Sequence, residues 1–175
     1  MVCKFPIGKD RSLCRTSGVT GTVTFLLVED DPNDVLMLEM EFRRVPAQIR
    51  MVAVSDGKEA MHYLQGDEKY SDADQYPAPD VILLDLKMPR VNGFEFLKWL
   101  RSKSPKHYRF TPVVVMSSSA LRQDVDLAYS LGANSYLVKP IEWKKFQERI
   151  QALGIYWAGH VEKPDPPSHP ITTRK

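Results

Sequence analysis

Residues 23–42 read VTFLLVEDDPNDVLMLEMEF, and this stretch decides the fold class. Val23 to Val28 is a short run rich in Val, Leu and Phe, bounded by Gly21 on one side and an acidic cluster on the other, which predicts a buried strand. A helix is predicted to follow at once. Asp31 suits its N-cap, Pro32 suits its first position, and Val35, Leu38, Phe42 and Val45 recur at three and four residues to make one apolar face.

The same alternation continues outward from this unit. Ile49 to Val54 reads as a strand, Lys58 to Leu64 as a helix, and Val81 to Leu84 as an all-apolar strand between Asp80 and Asp85. Gly93 introduces a helix with Phe94, Leu97 and Leu100 on one side, and Pro112 opens the strand Val113 to Met116. Leu121, Val125 and Ala128 mark a fourth helix, and Ser135 to Val138 makes a last short strand. Beyond Pro140, Trp143, Phe146, Ile150 and Leu153 stripe a fifth helix that runs on towards Tyr156 and Trp157. Parallel neighbours need helical crossovers, so five β-then-α units in series predict a doubly wound α/β fold, a five-stranded parallel sheet with helices on both faces. The connection from Gly66 to Pro79 is longer than such units need; Asp67, Glu68, Asp72 and Asp74 outnumber Lys69 there, and it reads as a solvated surface loop.

Composition bounds the rest. A chain of 175 residues fits one domain with extra ends, and 43% hydrophobic with 26% charged residues excludes a wholly disordered or fibrous protein. Twenty-four Lys plus Arg against 22 Asp plus Glu leave a formal charge of +2, so no nucleic-acid partner is expected from charge. No apolar run approaches the roughly 18 residues of a membrane span, and Lys4, Lys9, Arg11 and Arg15 interrupt any leading apolar region, so a cytoplasmic protein without membrane contact is expected. Cys3 and Cys14 have no ligand at metal spacing and read as reduced thiols. The expected organisation is a mobile arm over 1–21, the domain over 22–158 and a Pro-rich tail over 159–175.

In a doubly wound sheet the working site lies at the carboxyl ends of the strands. Glu29, Asp30 and Asp31 follow the first strand and Asp85 ends the third. Carboxylates converging on one crevice raise one another's pKa unless a cation neutralises them, and a hard divalent ion with oxygen ligands, Mg²⁺, meets that need. Asp31, just before Pro32, reads as the helix cap rather than a ligand. The fourth strand ends at Ser117, Ser118 and Ser119, and the fifth leads into Lys139 and Pro140. A hydroxyl and an ammonium at the same edge as the acids suit the oxygens of a phosphoryl group.

The ordered set Glu29-Asp30, Asp85 with Lys87-Met88-Pro89 and Gly93, Ser117-Ser118, then Lys139-Pro140 closely resembles the response-regulator receiver family of two-component signalling, over about Val23 to Ile155. The resemblance implies the CheY-like, flavodoxin-like strand order 2-1-3-4-5. Carried over residue by residue, it implies Asp85 as phosphoacceptor. Glu29, Asp30, Asp85 and the backbone carbonyl of Lys87 would hold Mg²⁺, with Glu29 able to act through water. It further implies Ser117, Ser118 and Lys139 as phosphoryl contacts, Tyr136 as an aromatic switch on the last strand, Lys87 and Ser119 at positions that tune phosphoryl lifetime, and a cis bond before Pro140. The implied function is a single-domain response regulator that receives a phosphoryl group from a sensor histidine kinase and signals to a downstream protein. The family is one of signalling proteins that at most catalyse their own phosphorylation and dephosphorylation, so no separate enzyme activity is expected. The long third connection, extended last helix and tail look most like stand-alone receivers that partner bacterial phytochromes, which suggests a phytochrome as the kinase. Ile155, Tyr156, Trp157 and Val161 extend apolar character beyond what one domain needs, so a homodimer is expected.

Three other readings are weaker. A phosphohydrolase working through an aspartyl phosphate typically needs a second acid two residues after the first, where Lys87 stands. A flavodoxin-like cofactor binder needs a Ser, Thr and Gly loop after the first strand, and Glu29-Asp30-Asp31 would repel its phosphate. A degenerate receiver would keep the fold as a scaffold without phosphorylation, yet every chemical position is filled.

Overall fold

Strands form where the sequence is apolar at consecutive positions, because both faces of the sheet are covered and every side chain of a central strand needs an apolar neighbour. The computed structural model describes residues 21–140, 142–159 and 161. In chain order the elements are β1 (Val23–Val28), α1 (Pro32–Phe42), β2 (Ile49–Val54), α2 (Gly57–Gln65), β3 (Val81–Leu84), α3 (Gly93–Ser102), β4 (Val113–Ser117), α4 (Arg122–Ser130), β5 (Ser135–Val138) and α5 (Trp143–Gly159). The sheet is parallel with order β2-β1-β3-β4-β5, as expected. All strand carboxyl ends therefore lie along one edge, and each helix carries the chain back to the other. The arm and the Pro-rich tail expected at the two ends lie outside the described residues, apart from Gly21, Gly159 and Val161.

Alternation within the strands divides the core in two. Leu26, Val28, Ile82, Leu84, Val113 and Val115 join Phe96, Leu97, Leu100 and Ala128 on the face covered by α2, α3 and α4. Phe25, Leu27, Leu83, Val114 and Met116 join Leu38, Phe42, Phe146 and Ile150 on the face covered by α1 and α5. The second layer is also pinned by a polar contact. Glu41 of α1 is fully buried and accepts from Nε2 of Gln147 at 2.8 Å and of Gln151 at 3.1 Å, both on α5, and from Arg44 at 3.0 Å.

Three local details depart from the sequence reading. The α1 helix stops at Phe42, so Val45 is buried from the following turn rather than from the helical face. Pro46 disfavours helical backbone at the residue before it, which accounts for the early stop. Leu121 occupies the N-cap of α4 without a side-chain cap bond and is exposed. The segment from Gly66 to Pro79 is not merely a solvated loop. It contains a 3₁₀ turn at Glu68–Tyr70, and Tyr70 is buried, its ring 5.2 Å from Tyr63 and 5.0 Å from Tyr76. Edge-on aromatic contacts of this kind stabilise beyond their buried area, and the acid count of the segment concealed the packing of Tyr70 and Tyr76 on Tyr63.

Candidate functional site

Strand register brings the acids together. Val28 of β1 is the partner of Leu84 of β3, so the next residues, Glu29 and Asp85, emerge side by side at the carboxyl edge, where Asp85 N–H donates to the carbonyl of Val28 at 2.9 Å. Asp30 follows Glu29. One carboxylate oxygen each from Glu29, Asp30 and Asp85 lie within 4.8 Å of one another, with Glu29 and Asp85 buried and Asp30 exposed. An all-oxygen donor set of this size fits a hard divalent cation, so the residues present suit Mg²⁺. Asp31 stands apart as expected: its Oδ1 accepts from Asn33 N–H at 2.8 Å and caps α1.

The loop after β3 is built to present Asp85. Lys87 N–H donates to Asp85 Oδ2 at 2.6 Å while the Lys87 side chain points to solvent. Gly93, at the start of α3, comes so close that a Cβ there would sit 2.3 Å from the Asp85 carbonyl oxygen and 2.8 Å from Leu86 Cα. Asn92 caps α3 in a reciprocal capping box with Glu95. Arg90 adopts φ +63°, in the left-handed region that few side chains enter, and its guanidinium pairs with the fully buried Asp56. Asp56 also caps α2, accepting from Lys58 and Glu59 N–H at 2.7 and 3.0 Å, so it ties the β3–α3 loop to the neighbouring β2–α2 loop. The sequence reading did not single out this pair, whose members stand 34 residues apart.

β4 and β5 supply the hydroxyl and ammonium. Ser117 is fully buried at the end of β4 and its Oγ accepts from Ser119 N–H at 3.2 Å, whereas Ser118 is exposed. Ser119 is buried and turned towards α4, its Oγ donating to Asp124 Oδ2 at 2.5 Å. Tyr136 packs partly against the core and its hydroxyl donates to the Ser119 carbonyl at 2.9 Å; burial pushes the phenol pKa up. The Lys139–Pro140 bond is trans, since no cis peptide occurs among the described residues. The resemblance implied cis, and an X-Pro bond by itself favours trans by about 0.5–1 kcal/mol.

Lys139 completes the site. Its Nζ lies 2.7 Å from Glu29 Oε2, 2.7 Å from Asp34 Oδ2 and 3.3 Å from Asp85 Oδ1. Burial works against the ammonium, but hydrogen bonds to Asp34 and Glu29 and the field of Asp85 outweigh it and hold the Lys139 pKa above the usual lysine range. Burial raises the Glu29 pKa, and Lys139 partly offsets that. Asp34 was not anticipated. It is the third helical residue of α1, where an acid ordinarily serves the helix N-terminus, and that ordinary role masked the one clue the sequence held.

A parallel 2-1-3-4-5 sheet with an acid triad, a buried serine and a half-buried lysine at its carboxyl edge defines a class. Residues 25–151 match the response regulator receiver domain, and the chain belongs to that family. It is 32% identical over 139 residues to the response regulator Rcp1 of Synechocystis, covering 79% of this chain and 91% of Rcp1. A Mn²⁺-bound structure of Rcp1 superposes with a TM-score of 0.73 at 30% identity, covering 81% of this chain and 99% of that one. The phosphorylated cyanobacterial phytochrome response regulator RcpA gives a TM-score of 0.75 at 29% identity over 82% of this chain and 99% of RcpA. Response regulator RPA3017, from red light signalling of R. palustris, gives 0.74 at 33% identity over 82% of this chain and 99% of that one.

Proposed function

We propose that this protein is a phosphoacceptor signalling protein whose Asp85 takes a phosphoryl group from a sensor histidine kinase. The observation that carries the reading is the convergence of Lys139 with Glu29, Asp34 and Asp85 from three strand ends and one helix. An Asp85 oxygen forms a bond to phosphorus as the phosphorus–nitrogen bond of a phosphohistidine breaks, the electron pair leaving with the imidazole nitrogen. Bound Mg²⁺ supplies charge neutralisation for the carboxylate and the incoming phosphoryl oxygens. Glu29, Asp30, Asp85 and the Lys87 carbonyl would hold it, while Ser117, Ser118 and Lys139 would meet the phosphoryl oxygens. Mass spectrometry of the full chain after reaction with acetyl phosphate and Mg²⁺ tests the reading. A single phosphoryl adduct that a chelator prevents is expected; no adduct would favour a phosphorylation-independent scaffold.

The ligand assignment divides Asp30 from Asp31. In calorimetric titration with Mg²⁺, Asp30→Ala is expected to weaken binding by at least about tenfold, the scale seen when a supporting partner of a metal ligand is lost. Asp31→Ala is expected to leave affinity near that of the parent and to cost about 1 kcal/mol of stability through the lost cap. Equal losses of affinity would reject the division.

A dianionic group on Asp85 would draw Ser117 and Lys139 inward. The Tyr136 hydroxyl on the Ser119 carbonyl and the Ser119 hydroxyl on Asp124 connect that movement to β5 and α4, which is where a downstream protein partner would read it. Lys87 and Ser119, two positions after the acceptor and the buried serine, would set phosphoryl lifetime. The protein would have no enzyme activity beyond its own phosphorylation and dephosphorylation. The likeness to RcpA supports a phytochrome as the kinase. No helix of the described residues is long and apolar enough to cross a membrane; a cytoplasmic receiver over 22–158 is part of the proposal.

Self-association is the remaining part of the reading. Ile155 and Tyr156 on α5 are 44% and 54% exposed, whereas Trp157 packs back on the core. The proposed interface therefore centres on Ile155 and Tyr156, with the partly exposed Val161 beyond them. Replacing both Ile155 and Tyr156 with Glu leaves the buried face of α5 intact and is expected to convert a sedimenting dimer to monomer. An unchanged sedimentation coefficient in the double variant would exclude this surface.

A further inference from the structure

We infer that Asp34 is a positioning residue that holds Lys139 in a resting place beside β1 and α1, from which the ammonium must turn to serve a phosphoryl group on Asp85. The inference rests on the phosphoacceptor reading above and extends it to a residue outside the ligand and phosphoryl-contact set. An ammonium has three hydrogens to share. Two go to Glu29 and Asp34 at 2.7 Å each, while the Asp85 oxygen stands at 3.3 Å. In the resting arrangement the acceptor thus has the weakest hold on the lysine it needs.

Asp34 suits this role for two reasons. It does not belong to the group of carboxylates gathered within 4.8 Å, so a cation bound by Glu29, Asp30 and Asp85 would occupy Glu29 and leave Asp34 with Lys139. Its place on the first turn of α1 stabilises its negative charge through the helix N-terminus. The pair is also sheltered, with side-chain exposures of 17% for Lys139 and 24% for Asp34, so solvent screens it less than a surface ion pair. Every phosphoryl group that Lys139 engages must therefore compete with Asp34.

Beryllofluoride, which adds to a carboxylate as a phosphoryl mimic, measures that competition in saturating Mg²⁺. Asp34→Asn keeps the side-chain shape and is expected to tighten beryllofluoride binding by about three- to tenfold, the scale of a partly sheltered ion pair. Asp34→Glu is expected to stay close to the parent. In a Lys139→Met background Asp34→Asn is expected to change nothing, the mark of an effect transmitted through the lysine. A separate readout needs no metal: the Lys139 ammonium should give a slowly exchanging ¹H–¹⁵N signal in the Mg²⁺-free protein that Asp34→Asn broadens or shifts. A parent chain that fails to bind beryllofluoride overturns the phosphoacceptor reading. If the parent binds, then an unchanged or weakened affinity in Asp34→Asn, or equal tightening without Lys139, overturns the role of Asp34 alone.

Discussion

Asp85→Asn is expected to remove the phosphoryl adduct completely while leaving the fold at least as stable as before. The amide has the shape of the carboxylate, and its oxygen can still accept from Lys87 N–H, which now bonds Asp85 Oδ2 at 2.6 Å. What disappears is the anionic oxygen that, on the proposed reading, would attack phosphorus. Asp30 cannot stand in for it, since it is exposed and does not sit on the β3–α3 loop that Lys87 N–H and Gly93 brace around Asp85. Removing one of three clustered negative charges relieves repulsion, and Lys139 keeps Glu29 and Asp34 as partners at 2.7 Å each. A midpoint of denaturant unfolding equal to or above that of the parent, together with no adduct by mass spectrometry, is the expected pair of results. An adduct of undiminished yield would move the acceptor elsewhere.

Gly93→Ala carries the second large effect, and here stability and chemistry fall together. The backbone at Gly93 is not left-handed, so alanine's conformational preference is no obstacle; the obstacle is space. The new Cβ would lie 2.3 Å from the Asp85 carbonyl oxygen and 2.8 Å from Leu86 Cα, and both are backbone atoms that cannot swing aside as a side chain would. The start of α3 must shift, or the strand end carrying the acceptor must. Overpacking of this kind costs about 1–3 kcal/mol. Denaturant unfolding should register that loss, and the rate of acetyl phosphate labelling should drop because Asp85 no longer meets Lys87 N–H and Lys139 in register. A variant with parental stability would mean the approach of α3 to β3 is looser than 2.3 Å implies.

β1, β3 and β4 were legible as short apolar runs that give way to a chemically useful polar residue, Val28 to Glu29, Leu84 to Asp85 and Met116 to Ser117, whereas β2 carries the exposed Arg50 and β5 opens on Ser135. The acids, Ser117 and Lys139 could be placed at one edge from chain order alone, since a parallel sheet puts every strand end there. The misses share a physical cause. Asp34 and Lys139 are 105 residues apart, Glu41 and Gln151 110, and Arg90 and Asp56 34. Each is a charged or polar group on a helix or loop, where solvent is the ordinary partner. Only the packing of α1 on α5, or of one loop on the next, decides otherwise. The tyrosines at 70 and 76, which pack on Tyr63 of α2, were hidden in the same way, by a segment whose composition advertised water.

The direction of β1 and of α5 has a practical consequence for how the molecule can be handled. β1 begins at the pole opposite the acid cluster, and α5, leaving the cluster end after β5, runs 17 residues, or about 26 Å, back to that same pole. Entry and exit of the domain thus share one side, and the crevice around Asp85 faces the other. A tether or fluorophore attached at Gly21 or Gly159 would sit on the side away from the crevice, leaving its mouth open. Paired labels at Gly21 and Gly159 would share the far pole and report poorly on events at the mouth; one label there and one on the β4–α4 loop would span the domain from pole to crevice.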